Sequence, residues 1–363
     1  MRPTPEFDAA CEELLAGGMG TSVLLVAETA DARVERAYGV RYDDRPAAVS
    51  DLVPLYCSAK PVLALAFLSI CAERGIDLDT RLRELLPWME EHWIGAHTYA
   101  ELLGHRTSIH RLGAVFPMAT EPGRRGDLLR HLPEPGPDDQ PGYADFGAWY
   151  LLAQTVETLT KTDFRQVAVE RVLAPYGIDL RDLNLGIPPA LFERWREDIS
   201  INLYRRRDSG LHPLAAEGAA IWACEWNPAF AAYGTPVGLV QLYRAVLADR
   251  EGAGRVISAE LARLATSPGE VFYDARLGHD SRYGLGFMAD MRLFHGGPSV
   301  SPRSFGQSGV GAGSLAFADP DCDLAASIVI NTVFDEQPDL LHERPRLVSA
   351  LYRDFGLSEE AGP

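Results

Sequence analysis

The chain has 363 residues, 47% hydrophobic and 23% charged, a composition that suits a globular protein with ample length for a buried core. Its formal net charge of −17 argues against nucleic acid and against an anionic membrane surface as partners. Five scattered cysteines without paired spacing, and nine histidines without metal-ligand spacing, point to a reduced, cytoplasmic protein with no metal site.

Residues 1–18 carry Glu6, Asp8, Glu12 and Glu13 and lack the apolar stretch of a signal peptide; no membrane-length apolar run is expected anywhere. An amphipathic helix is predicted over 6–15, ending at Gly17-Gly18. The β-rich runs 21–29 and 33–40 read as an antiparallel hairpin. Residues 62–68 are a strongly apolar helical run, and 78–86 reads as a further helix leading to Trp88 and Trp93. From about 80 to 240 the pattern is helical, broken by Pro/Gly-rich joints at 104–108 and 132–142. His105 has a structural place in the first joint, and the second feeds a helix over 146–160. The irregular region 201–233, with Trp222 and Trp226, is expected to supply loops over a pocket. Trp149, Trp222 and Trp226 read first as core side chains. Helices follow at 235–247 and 258–265. The chain then returns to strands at 283–288 and 305–313, and to a hairpin, 314–318 with 324–330, around Asp319-Pro320-Asp321. A helix over 344–355 follows. Strands at both ends with helices between predict a single α+β domain, its α+β lobe from 1–80 and 235–363 and its helical lobe from 81–234.

The most informative stretch runs from Leu55 to Pro61. Lys60 is one of only two lysines, with Lys161, among 34 basic residues. Arginine does not give up its proton in a protein, whereas a partly buried lysine can, so a lysine here suggests proton chemistry. The plainer reading is a solvated or ion-paired lysine. On a helix at roughly 100° per residue, Cys57 and Lys60 lie about 60° apart and Ser58 and Lys60 about 160° apart. The residue able to share a proton with Lys60 is therefore Cys57, with Ser58 as a displaced alternative.

Three motifs in order carry a family resemblance: Lys60-Pro61 opening a helix, Tyr143-Ala144-Asp145 after a Pro/Gly loop, and Gln307-Ser308-Gly309 leading into Gly313-Ser314-Leu315-Ala316-Phe317-Ala318-Asp319-Pro320. Together they resemble the penicillin-recognising serine hydrolases, in the class C β-lactamase and carboxylesterase branch, over roughly residues 20–350. The resemblance implies a β-lactamase-like α+β fold, an antiparallel sheet flanked by helices with an inserted helical lobe. It puts the nucleophile at Cys57, the lysine at Lys60 and the phenol at Tyr143, with an oxyanion hole from the backbone N–H groups of Cys57 and Val310. Three positions depart from the family pattern. Cysteine replaces the nucleophilic serine, Asp145 replaces the asparagine of the second motif, and Gln307 replaces the cation of the third. Losing that cation removes the usual grip on a substrate carboxylate, which puts lactam hydrolysis in doubt.

The departures carry expectations of their own. A nearby ammonium can hold Cys57 as thiolate, and Asp145 would reinforce the charged Lys60 or bind an incoming amine. Tyr143 is placed to protonate a leaving group. The glycines 309, 311 and 313 mimic a phosphate loop but precede a strand, which argues against nucleotide binding. Since a thioester favours amines over water more than an oxyester does, the expected activity is acyl transfer from a small-molecule ester to an amine or alcohol, without cofactor. The narrower resemblance is to transacylases of capuramycin-type antibiotic assembly. An esterase or amidase with the same residues, and a non-catalytic binding protein with Cys57 as a buried structural residue, are the alternatives.

Overall fold

A computed structural model of the chain describes residues 2–41, 44–112, 134–136, 139–199, 204–207, 210–213, 224, 227–309, 312–334 and 337–357. The expected lid residues Trp222 and Trp226, and Val310 of the oxyanion hole, lie outside these.

The central element is β1 (Ser22–Glu28), whose Val-Leu-Leu-Val-Ala run is buried on both faces. An uninterrupted apolar run is what a strand covered on two sides requires. Its odd members Val23, Leu25 and Ala27 join one core with Phe7 and Leu14 of α1 (Pro5–Ala16) and with Leu347 and Leu351 of the last helix. Leu24 and Val26 join the other core, with Leu239, Tyr243 and Val246.

β1 pairs antiparallel with β2 (Arg33–Gly39) on one side and with a strand 300 residues downstream on the other. The remaining labelled strands are β3 (Phe272–Asp274) and β4 (His279–Ser281), which form a separate hairpin, then β5 (Met288–Ala289), β6 (Phe305–Ser308), β7 (Ala312–Asp319) and β8 (Leu324–Phe334). The main sheet runs β5-β6-β7-β8-β1-β2, and Tyr204–Arg207, paired with Gly210–Pro213, adds to it beside β8. The fold is thus a sheet antiparallel throughout except where Tyr204–Arg207 runs parallel to β8, with helices on both faces, as the α+β expectation requires.

Five helices matter for the site: α1, α2 (Lys60–Arg74), α3 (Gly147–Thr160), α4 (Pro236–Arg250) and α5 (Gln337–Phe355). α1 has no side-chain cap of its own; Asp354 of α5 accepts from the N–H groups of Glu6 and Phe7, at 3.1 and 2.8 Å. α4 is capped by Thr235, whose hydroxyl accepts from Gly238 N–H.

Four expectations change. The helix predicted over 78–86 shrinks to Leu82–Leu85: Asp77 holds the residues before it in a turn, accepting from Asp79 and Thr80 N–H, and Pro87 opens a separate 3-10 turn after it. The last helix begins at Gln337, not 344, and carries Pro345 in its interior. The strand predicted over 283–288 is mostly a turn, with Tyr283 and Met288 facing each other in an isolated bridge. Gly286 makes that turn with φ +84°, and a Cβ there would sit 2.3 Å from Ala64 Cβ of α2. Finally, Tyr56–Arg74 is 19 residues long with mean hydropathy 1.3, long and apolar enough by composition to cross a bilayer, although 78% of that window is buried within the protein.

Candidate active site

The site starts from a change of helical pitch. Tyr56–Ala59 is a 3-10 turn that runs directly into α2. At three residues per turn, side chains i and i+3 eclipse instead of diverging by 60°. Cys57 and Lys60 therefore stack, and Lys60 Nζ donates to Cys57 Sγ at 2.8 Å. The turn is entered through Tyr56 at φ +49°, a backbone conformation unusual for a large side chain. Cys57 stands in the first turn of this helical segment, where a backbone N–H has no intrahelical acceptor.

Ser58 points elsewhere. Its hydroxyl donates to Ser314 Oγ at 3.0 Å, and Ser314 Oγ in turn donates to the Leu55 carbonyl at 2.8 Å. Ser58 thus ties the turn to β7, and its contacts are those of a structural hydroxyl.

Lys60 is 1% exposed and Cys57 8%. A buried ammonium needs partners, and Lys60 has three kinds. It donates to Cys57, it donates to Tyr143 Oη at 3.1 Å, and it lies 5.0 and 5.7 Å from the ring centroids of Tyr143 and Trp149. Trp149, one turn into α3, is a core residue that also covers the lysine.

Tyr143 is fully buried and held from several directions. Its backbone N–H donates to both carboxylate oxygens of Asp274, each at 3.0 Å. The next N–H, of Ala144, donates to His105 Nδ1 at 3.0 Å, which requires the ring proton on Nε2. His105, at φ +55°, packs its ring 4.7 Å from Tyr143 and 4.5 Å from Tyr283. Tyr283 stacks on Tyr143 at 6.2 Å and donates its hydroxyl to Asp274 at 2.7 Å. Burial, and then the charge of Lys60, push His105 down to about 3, so it stays neutral. Burial, with the negative charges of Cys57 and Asp145, pushes the Tyr143 phenol well above its usual range. At neutral pH it is an acid with a proton to give.

Asp145 does something other than expected. Its Oδ2 accepts from both Nε and Nη2 of Arg276, each at 2.9 Å, so its charge is matched by that arginine and not by Lys60. The third motif also departs from expectation. Gln307 and Ser308 are fully buried and turned to protein partners. Gln307 Oε1 accepts from Ser308 N–H at 3.2 Å, while its Nε2 has no hydrogen-bond partner among the described residues. Ser308 Oγ lies 2.7 Å from His295 Nδ1. Gly309 N–H donates to Ser314 O at 2.9 Å, and its carbonyl accepts from Arg344 Nη2 at 3.2 Å. Sequence reasoning missed Arg344, a fully buried guanidinium from α5 that also reaches His295 Nδ1 at 2.9 Å. Burial lowers it to about 9, and the negative charge of Cys57 opposes that shift.

The structure therefore brings Cys57, Lys60 and Tyr143 together, adds His105, Asp274, Tyr283 and Trp149 behind them, and turns Asp145, Gln307 and Ser308 to other partners. Among the described residues, no group of three or more His, Cys, Asp or Glu side chains could hold a metal ion. An open cleft lined by Arg165, Val169, Asn184 and Pro189 shares no residue with this cluster.

Several solved structures share the fold. One is a penicillin-binding protein homolog from Caulobacter crescentus, 21% identical with 97% of each chain covered and a TM-score of 0.78. Another is a family VIII carboxylesterase, 21% identical, again with 97% of each chain covered, at 0.74. A third is EstCE1, described as a hydrolase with promiscuous acyltransferase activity, 18% identical over 95% of this chain and 98% of that one, at 0.73. No curated protein sequence matches. The beta-lactamase family model matches residues 7–350, nearly the whole chain, and the protein belongs to that family.

Proposed function

We propose that this protein is a cysteine-dependent acyltransferase that moves an acyl group from a small-molecule ester to an amine or alcohol. The observation that carries the reading is one ammonium, Lys60 Nζ, donating to Cys57 Sγ at 2.8 Å and to Tyr143 Oη at 3.1 Å. A cation within hydrogen-bond distance of a cysteine sulfur is one of the ordinary settings of a cysteine nucleophile.

The steps balance. The Cys57 thiolate attacks the ester carbonyl, a C–S bond forms and the C–O bond breaks. The leaving alkoxide takes the Tyr143 proton, and Lys60 restores that proton to the phenol. An acceptor amine then attacks the thioester, a C–N bond forms, the C–S bond breaks and the thiolate returns. The proton lost by the amine passes through Tyr143 to Lys60. Backbone N–H groups of Cys57 and Val310 are the oxyanion donors in this scheme.

Two things support transfer over hydrolysis. One is the intrinsic preference of a thioester for amines over water; the other is the fold shared with a hydrolase of promiscuous acyltransferase activity. Hydrolysis of an ester or amide by the same residues is the second reading, favoured by the fold shared with a carboxylesterase and a D-amino acid amidase. The finer reading, amide formation in secondary metabolism, rests on the resemblance of the motifs to antibiotic-assembly transacylases; a reducing cytoplasm as its setting rests on the five scattered cysteines and the N-terminal composition.

The test is intact-protein mass after brief exposure to a panel of activated esters, followed by product partition with added amines. Acyl mass on wild type, absent in Cys57→Ala, with amide exceeding acid, is the expected result. Acid as the sole product at high amine moves the reading to esterase. Absence of any acyl mass on wild type overturns both.

A further inference from the structure

The Tyr143 loop rests on a turn that no sequence motif marks. Asp274 ends β3, and its fully buried carboxylate makes five hydrogen-bond contacts with four donors. Three are local: the N–H groups of Arg276 and Leu277 at 2.9 and 3.0 Å, and Tyr283 Oη at 2.7 Å. An aspartate that bonds N–H groups two and three residues on is ordinary turn chemistry. The other contacts are not local, since both carboxylate oxygens also receive the N–H of Tyr143, 131 residues away.

The rest of the turn grips the same loop. Ala275 N–H donates to Pro141 O at 3.1 Å, and Arg276 holds Asp145. Gly142 fits only as glycine, because a Cβ would lie 2.9 Å from Arg276 N and 3.0 Å from Asp274 Oδ1. Tyr283, bonded to the same carboxylate, supplies the ring stacked on Tyr143. One side chain thus fixes both the backbone of Tyr143 and the aromatic wall behind its ring.

We infer that Asp274 is a positioning residue for the acid step, acting through Tyr143. This rests on the reading of Tyr143 as the proton donor to the leaving group. A misplaced acid hurts reactions whose leaving group needs a proton and spares those whose leaving group departs as a stable anion. A general structural defect has no such selectivity.

The experiment is single-turnover acylation of Cys57, followed by intact mass, with an alkyl ester and an activated aryl ester of the same acyl group. Asp274→Asn, Tyr143→Phe and their combination are compared with wild type. Asp274→Asn is expected to slow the alkyl ester by roughly 10- to 100-fold and the aryl ester by about twofold or less. Tyr143→Phe should show the same selectivity, and the double variant should match Tyr143→Phe alone. Equal slowing of both esters by Asp274→Asn, or additive losses in the double variant, overturns the inference while leaving the role of Tyr143 intact. A Tyr143→Phe variant without selectivity, or wild type that is not acylated at all, overturns the parent reading and the inference with it. If Asp274→Asn does not fold, Tyr283→Phe decides. It removes one hydrogen bond to the same carboxylate, and it should show the same selectivity in weaker form; its absence overturns the inference.

Discussion

Cys57 and Lys60 stand one above the other on a single 3-10 turn, their reactive atoms 2.8 Å apart. A regular α-helix from Tyr56 onward would leave them diverging by roughly 60°, so the tighter pitch is what makes the contact short.

Replacing Lys60 tests that contact. Lys60→Met should slow Cys57 acylation by about 10²-fold or more, the lower range of proton-transfer effects. Lys60→Arg keeps the charge but cannot relay a proton, so it should restore alkylation of Cys57 by iodoacetamide more than it restores ester turnover. Equal recovery of both activities would reduce Lys60 to an electrostatic partner.

Cys57→Ser separates the chemistry of sulfur from the rest of the site. The variant should still take acyl mass, more slowly, and its product ratio at fixed amine should shift towards the acid. A ratio identical to wild type would show that the acceptor pocket, and not the thioester, sets the outcome.

Ser58→Ala should leave acylation within about threefold of wild type while lowering stability by about 1–3 kcal/mol, because Ser314 loses a buried partner. Denaturant midpoints and intact mass read the two effects separately. Loss of the adduct in this variant would move the nucleophile to Ser58.

Two buried histidines predict acid sensitivity. His105 faces Lys60, Tyr143 and Tyr283, and His295 faces Arg344, Ser308 and His279. Burial comes first, and then neighbouring cations, in holding both neutral. Each folded value lies below the unfolded value of about 6.5, so their contribution is complete above that pH and is lost as pH falls towards about 3 for His105. By pH 5 His105 should cost about 2 kcal/mol, and His295 adds to the loss in the same direction. Urea midpoints at pH 7.5, 6 and 5 measure this, with His105→Gln flattening its share; a wild-type midpoint unchanged across the range would contradict it.

What the sequence reveals and what it hides divide along chain distance. The Cys57–Lys60 pairing follows from a spacing of three, and β1 from one apolar run. Asp274, His105 and Tyr283 meet Tyr143 across 131, 38 and 140 positions, and no local pattern marks such contacts. Arg344 was hidden for a different reason. An arginine beside Pro345 reads as the start of a helix, whereas it lies in the interior of one and points inward. Asp145 could be found by its motif, but Arg276, which settles its charge, belongs to the β3–β4 turn.

The pairing of β1 with β8 has a kinetic side. β1 lies between β2 and β8, with Val23 opposite Ile330, and α1 takes its cap from Asp354. On the ribosome, the most apolar strand of the sheet emerges some 300 residues before the strand that covers its second edge. At about 5–20 residues per second, that edge stays open for roughly 15–60 seconds. The folding step that closes this edge joins two segments far apart in the chain, and the nascent chain is most exposed to aggregation before it.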